Sequence, residues 1–170
     1  MRHIPNLLTA LRILAMPVIL HRIWTGDLDT ALVLFFLSGM TDTIDGTLAR
    51  RYNWTSKVGA ILDPIADKML LMCTFLVLGW RHFVPLWVVY VVIGRDLLIL
   101  LAAVVLKLTG RLTEFPPSNF GKFSTLVQLL TAGSILLRWP PDPSPFFYAT
   151  AIMAFLSLGH YGYQIWQKLN

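Results

Sequence analysis

Six apolar runs, over residues 5–24, 29–50, 59–79, 83–108, 121–138 and 145–167, dominate the chain. Each is close to the roughly 20 residues that a helix needs to cross the hydrocarbon core of a bilayer. None alternates polar and apolar residues as a membrane β-strand does, and all are longer than such strands. A backbone in lipid must satisfy its own hydrogen bonds, and helices do so within each segment. Composition agrees, with 56% of residues hydrophobic and 14% charged, against about a quarter charged in an ordinary soluble domain. The expected fold is an all-α integral membrane protein of six transmembrane helices, forming a single domain over residues 1–170.

The connectors carry the breakers and the charges. Thr25-Gly26-Asp27 follows the first run, and Pro140, Pro141, Pro143 and Pro145 precede the last. An even number of crossings puts both termini on one side. With them lie Arg2, Arg12, Arg50, Arg51, Lys57, Lys107, Arg111, Lys122 and Lys168, whereas Arg22, Arg81 and Arg138 fall on the other. Basic residues are retained on the cytoplasmic side, so both termini are expected in the cytoplasm. The net charge of +5 then reads as a topology signal and as contact with anionic lipids rather than as a nucleic-acid surface. The single Cys73 cannot form an intrachain disulfide and reads as packing. Arg12 interrupts the first run, which argues against a cleaved signal peptide.

One segment breaks the apolar pattern. Residues 38–68 read SGMTDTIDGTLARRYNWTSKVGAILDPIADK and contain Asp42, Asp45, Asp63 and Asp67. A carboxylate near membrane depth is costly and marks a functional site. Asp42 and Asp45 are three residues apart and share a helix face; Gly59, Asp63 and Asp67 share another at spacings of four. Gly46 and Ala49 are small residues on or beside the first face and allow a close approach. Two antiparallel helices facing each other would gather the carboxylates around one small volume. Such a group takes up protons or binds cations, and all-oxygen ligands suit Mg²⁺ or Mn²⁺. A pair of such ions suits chemistry at phosphorus, with Arg50 and Lys57 at the mouth as partners for phosphate oxygens. An intramembrane carboxylate pathway in an ion carrier is the competing reading, although it requires neither the small residues nor Arg50.

Written as a pattern, the segment is D-x2-D-G-x2-A-R-x8-G-x3-D-x3-D, from Asp42, Asp45, Gly46, Ala49, Arg50, Gly59, Asp63 and Asp67. It resembles the CDP-alcohol phosphatidyltransferases without a gap or substitution. The resemblance implies a homodimeric membrane enzyme with a cytoplasm-facing site that transfers a phosphatidyl group from CDP-diacylglycerol to an alcohol and releases CMP. It further implies two divalent cations held by Asp42, Asp45, Asp63 and Asp67, with Asp67 as the base for the acceptor hydroxyl. Asp42, Gly46, Ala49, Arg50 and Gly59 would bind CDP-diacylglycerol. The stretch IPNLLTALRILAMP resembles the branch with glycerol-type acceptors. VVIGRDLLIL and PPSNFGKFSTLVQ are more similar to CMP-forming cardiolipin synthases, whose acceptor is phosphatidylglycerol, than to the synthases that use glycerol-3-phosphate. The short N-terminus points to a bacterial plasma membrane.

The later runs contribute two further candidates. Arg95 lies inside the fourth run and Lys122 opens the fifth, and both are read as ligands for the phosphate of the acceptor, with a structural ion pair beside Asp96 as the alternative for Arg95 and plain positive-inside placement as the alternative for Lys122. Asp96 is expected to point about 100° away from Arg95 around the helix. Lys68, next to Asp67, is read as interfacial. Trp80, Trp87, Trp139 and Trp166 are read as interfacial belts. His3, His21, His82 and His160 are scattered and suggest no histidine site.

Overall fold

The computed structural model describes the backbone of residues 4–51, 59–109 and 118–169, and the side chains of 13–41, 68–106, 108–109 and 118–167. All regular structure among these residues is helical: α1 (Ile4–Thr25), α2 (Leu28–Arg51), α3 (Gly59–Trp80), α4 (Leu86–Leu108), α5 (Asn119–Leu137) and α6 (Ser144–Leu169). The six helices coincide with the six apolar runs to within a few residues.

Their ends follow from local chemistry. α1 closes on Gly26, whose φ of 84° is the left-handed conformation that glycine adopts without a Cβ penalty. The Gly26 amide donates to the Ile23 carbonyl at 3.1 Å and the Asp27 amide to the Arg22 carbonyl at 3.0 Å, the paired bonds of a Schellman motif. Asp27 then caps α2, accepting a hydrogen bond from the Thr30 amide at 3.3 Å and one from Arg22 at 3.1 Å. These bonds from Thr30, with the nearby Arg22 charge, hold the Asp27 carboxyl below the usual carboxylate range. α4 starts at Leu86, later than the apolar run, because Pro85 enters the chain there and its carbonyl accepts from the Val88 amide at 3.0 Å. α5 starts earlier than its apolar run because Ser118 caps it, its hydroxyl accepting from the Gly121 amide at 3.3 Å. Asp142 accepts from the Ser144 amide at 3.0 Å as α6 begins, and hydrogen bonding from the Ser144 side chain, together with this amide bond, lowers its carboxyl pKa.

The chain divides into two compact units. The first comprises Met1–Arg81 with Leu136–Arg138. In it α1 packs against both α2 and α3, and Ile19, Ile23, Ala31, Phe35, Phe75 and Leu78 are buried. Trp24 and Trp80 meet at the ends of α1 and α3, ring centroids 6.4 Å apart. The second comprises His82–Ile135 with Trp139–Asn170. There α4 packs on α6, and Val88, Val92, Ala132, Phe147 and Ala154 are buried.

Among the described residues, Leu86–Leu106 (mean hydropathy 2.4) and Asn119–Leu137 (1.3) are long and apolar enough to cross a membrane. Ile13–Thr25, Leu28–Thr41 and Lys68–Trp80 are shorter apolar segments of the same kind. The outer face of α4 exposes Leu97, Leu98, Leu100, Leu101, Val104 and Val105. A contiguous apolar face of this extent is suited to lipid or to another protein surface rather than to water. The four tryptophans read as interfacial, Trp80, Trp87, Trp139 and Trp166, are all exposed.

Candidate active site

The pattern positions divide between two helices of the first unit. Asp42, Asp45, Gly46, Ala49 and Arg50 lie in the last turns of α2, and Gly59, Asp63 and Asp67 in the first turns of α3. Positions 42 and 45 are thus one turn apart in a continuous helix, as are 59 and 63, and 63 and 67. Pro64 lies within α3 and the helix continues through it. The side chains of these eight residues, and Lys57 altogether, lie outside the described residues. Among the described residues no cluster of His, Cys, Asp and Glu could hold a metal.

The second unit carries a buried polar site built around Arg95. Arg95 and Asp96 are 3% and 6% exposed, and they form an ion pair through Arg95 Nη1 and Asp96 Oδ1. The expected divergence of the two side chains is therefore corrected. The arginine stem is long enough to curl onto its sequence neighbour, and an apolar setting favours the nearest opposite charge. Arg95 Nη2 also donates to Ser157 Oγ of α6 at 2.5 Å. Nε of the same guanidinium is buried without a partner among the described residues. The guanidinium is thus positioned from two sides and retains donor capacity.

α5 approaches this group closely. A Cβ at position 121 would lie 2.9 Å from Tyr161 Oη and 3.5 Å from Arg95 Nη2, so a larger residue there would have to displace the Tyr161 side chain. Ser118, at the head of α5, bonds through Oγ to His160 Nδ1 at 2.9 Å. The His160 ring packs against Phe120 in a tilted arrangement with centroids 5.0 Å apart. His160 is therefore part of the packing of α6 on the start of α5, a role its sequence position did not suggest. Lys122 is exposed one residue beyond Gly121. It shares a helix with this cluster but is not part of its buried network. Ser118, Gly121, Ser157 and Tyr161 were not identified from sequence; the available signal was the polar stretch SNFG at the head of an apolar run.

Residues 2–160 match the CDP-alcohol phosphatidyltransferase family. The chain belongs to this family. The eight pattern positions, Arg95 and Lys122 all lie within the matched region. Over 143 residues the chain is 36% identical to the cardiolipin synthase (CMP-forming) of Streptomyces coelicolor, covering 79% of this chain and 64% of that protein. Over 168 residues it is 34% identical to a cardiolipin synthase (CMP-forming)/mitochondrial hydrolase fusion protein of Schizosaccharomyces pombe, covering 85% and 28%. It is also 31% identical over 174 residues to the CDP-diacylglycerol–glycerol-3-phosphate 3-phosphatidyltransferase of Sodalis glossinidius, covering 95% of this chain and 93% of that protein. The match thus spans 28% and 64% of the two cardiolipin synthase relatives.

Proposed function

We propose that the protein is a membrane phosphatidyltransferase that moves the phosphatidyl group of CDP-diacylglycerol to a glycerol-type acceptor and releases CMP. The observation that carries this reading is the complete eight-position pattern on the last turns of α2 and the first turns of α3, within a family match that covers residues 2–160. The preferred acceptor is phosphatidylglycerol, giving cardiolipin. The Sodalis relative, matched over nearly its whole length, supports glycerol-3-phosphate as the second reading. The protein would act as a homodimer of six-span chains, each one transmembrane domain, in a bacterial plasma membrane with its site toward the cytoplasm.

The chemistry assigned to this chain is a displacement at phosphorus. The acceptor hydroxyl oxygen bonds to the phosphatidyl phosphorus, the bond from that phosphorus to the bridging diphosphate oxygen breaks, and CMP leaves with that oxygen. Asp67 takes the hydroxyl proton as general base. Asp42, Asp45 and Asp63, with Asp67, would hold two divalent cations, which when bound supply positive charge against the diphosphate. Gly46, Ala49 and Gly59 leave room for the nucleotide and Arg50 grips the diphosphate. Arg95 and Lys122 are proposed ligands for the acceptor's phosphate, Arg95 through the donors that Asp96 and Ser157 do not use.

Purified protein supplied with CDP-diacylglycerol and either acceptor tests the reading. CMP release with a product of cardiolipin mass is expected, and it should stop under excess chelator and return with Mg²⁺ or Mn²⁺. A nucleotide left intact with both acceptors would favour the ion-carrier alternative. Full turnover in chelator would reject the metal assignment.

A further inference from the structure

The second unit contains buried polar groups for which the proposed phosphate contact gives no use. Ser124 is fully buried and its Oγ has no partner among the described residues. Gln128 is 1% exposed, and neither its carboxamide oxygen nor its nitrogen has a partner there. Both lie on α5. Gly121 and Gln128 are seven residues apart and so point within about 20° of each other, with Ser124 between them. The next polar residue on this side, Thr131, is satisfied by Thr150 Oγ1 at 2.7 Å and by the Val127 carbonyl at 2.8 Å. On α5 the unmet groups thus lie in the stretch just past Gly121, the position against which the Arg95 guanidinium packs, while elsewhere in this unit Arg95 Nε and Gln164 Oε1 of α6 are also buried without a partner among the described residues.

A buried carboxamide without partners is destabilising, and an apolar residue of similar size would avoid that cost. Stability alone gives no reason for Gln128. Its chemistry suggests one. A carboxamide both donates and accepts, as a hydroxyl does, and the Ser124 hydroxyl has the same dual character. Arg95, by contrast, only donates and is matched to an anion. Read along α5, the order is a cation beside residue 121, then dual-character groups at 124 and 128. Ser124 lies about 4.5 Å further along the axis, and helical side chains lean toward the N-terminus, bringing a long glutamine back toward that level. A phosphoglycerol group has the same order: a phosphate, then hydroxyls a few bonds away, within about one helical turn of 5.4 Å.

We propose that Ser124 and Gln128 form a hydroxyl-reading subsite that recognises the secondary hydroxyl of a phosphoglycerol acceptor whose phosphate is held by Arg95. The inference rests on the glycerol-acceptor reading above and extends it to the residues that discriminate glycerol from other alcohols. Hydrogen bonds to a substrate hydroxyl discriminate well because the analogue lacking it leaves the site's own polar groups unpaired.

The experiment compares full-length protein with Gln128→Met and Ser124→Ala variants in lipid nanodiscs, following CMP release from CDP-diacylglycerol. One arm pairs phosphatidylglycerol with phosphatidyl-1,3-propanediol, which lacks only the secondary hydroxyl. The other pairs glycerol-3-phosphate with 3-hydroxypropyl phosphate. The arm that turns over identifies the source of the phosphoglycerol group. Unsubstituted protein should favour the hydroxylated acceptor in kcat/KM by about tenfold or more, the effect of losing one or two hydrogen bonds. Gln128→Met should bring that ratio to within about twofold, with the donor KM little changed. Ser124→Ala should reduce the ratio in part, and it decides the matter alone if Gln128→Met fails to fold. A ratio unchanged in the variants, or equal losses with both members of a pair, would overturn the subsite and leave Gln128 as a packing or water-binding residue. Absence of CMP release from unsubstituted protein in both arms would instead reject the acceptor reading on which the subsite rests.

Discussion

At the scale of single residues, the aspartates and Arg95 differ in how sequence reveals them. Asp42, Asp45, Asp63 and Asp67 were legible because fixed spacing on a helix turns a string into a face, and because carboxylates in an apolar run are costly enough to need a reason. Arg95 was legible as a buried cation, with an ion pair to Asp96 as the alternative to a phosphate ligand, although the two side chains were expected to diverge. Helical angle alone separates it from Asp96, and the structure joins them because a long stem is free to curl. Gln128 was not legible, since a lone glutamine in a span has no spacing to announce it. Replacing Asp67 by Asn keeps the shape and removes the basic oxygen. Turnover should fall by roughly 10²-fold or more, the scale of general-base catalysis, with binding of CDP-diacylglycerol less affected; near-normal turnover would assign the base elsewhere. For Arg95, substitution by Ala should raise the acceptor KM strongly and the donor KM little, a loss of roughly 2–4 kcal/mol by analogy with truncating one partner of a buried charge pair. Arg95→Lys separates binding from folding. It keeps the positive charge beside Asp96 but loses the planar fork, so it should fold and still bind the acceptor weakly. If the donor KM alone rises in either variant, Arg95 has a structural role only.

At the scale of elements, helix existence was set by the length of the apolar runs, and the boundaries by a few capping residues. Asp27 and Ser118 bring helix starts forward and Pro85 sets one back. These shifts of a few residues come from hydrogen bonds that hydropathy does not record. Gly26 shows how much one connector depends on backbone conformation. A Cβ there would meet only Arg81 Nη2 at 3.7 Å, an ordinary contact, so any cost of Gly26→Ala comes from its φ of 84° rather than from crowding. Placing an L-residue in that region costs roughly 1–2 kcal/mol. Gly133, inside α5, has nothing within 4 Å of an added Cβ, and an alanine there gains up to about 1 kcal/mol of helix propensity. The two substitutions should therefore move thermal stability in detergent in opposite directions, Gly26→Ala downward and Gly133→Ala upward. A rise with Gly26→Ala would mean that the α1–α2 connector does not depend on the left-handed residue, and a fall with Gly133→Ala would mean that α5 needs the glycine for packing.

At the scale of the whole molecule, the chain reads as alternating charge between connectors. The α2–α3 and α4–α5 connections and the two ends of the chain carry Arg2, Arg51, Lys57, Arg111 and Lys168, whereas the opposite connections carry Arg22, Arg81 and Arg138. Two of that smaller set sit beside carboxylates: Arg22 is 3.1 Å from Asp27 and Arg138 is 3.9 Å from Asp29. Exposed pairs of this kind add little stability, but in the proposed topology they would reduce the net positive charge of the connectors that cross the membrane, while the unbalanced basic residues would stay behind. On that proposal the end of α2 and the start of α3, and with them the aspartates, would face the cytoplasm, where a soluble product such as CMP would be released. Because Cys73 is the only native cysteine, a Cys73→Ala background permits single-site labelling. On it, Asn170→Cys and Lys57→Cys should react with a membrane-impermeant maleimide in inside-out vesicles, and Asp142→Cys in right-side-out vesicles. The paired readout is decisive because the proposed six crossings would separate the termini from the α5–α6 connector by an odd number of spans. Reaction of positions 170 and 142 from the same face would mean that α6 does not cross, and the six-span topology would have to be abandoned even if the enzyme is active.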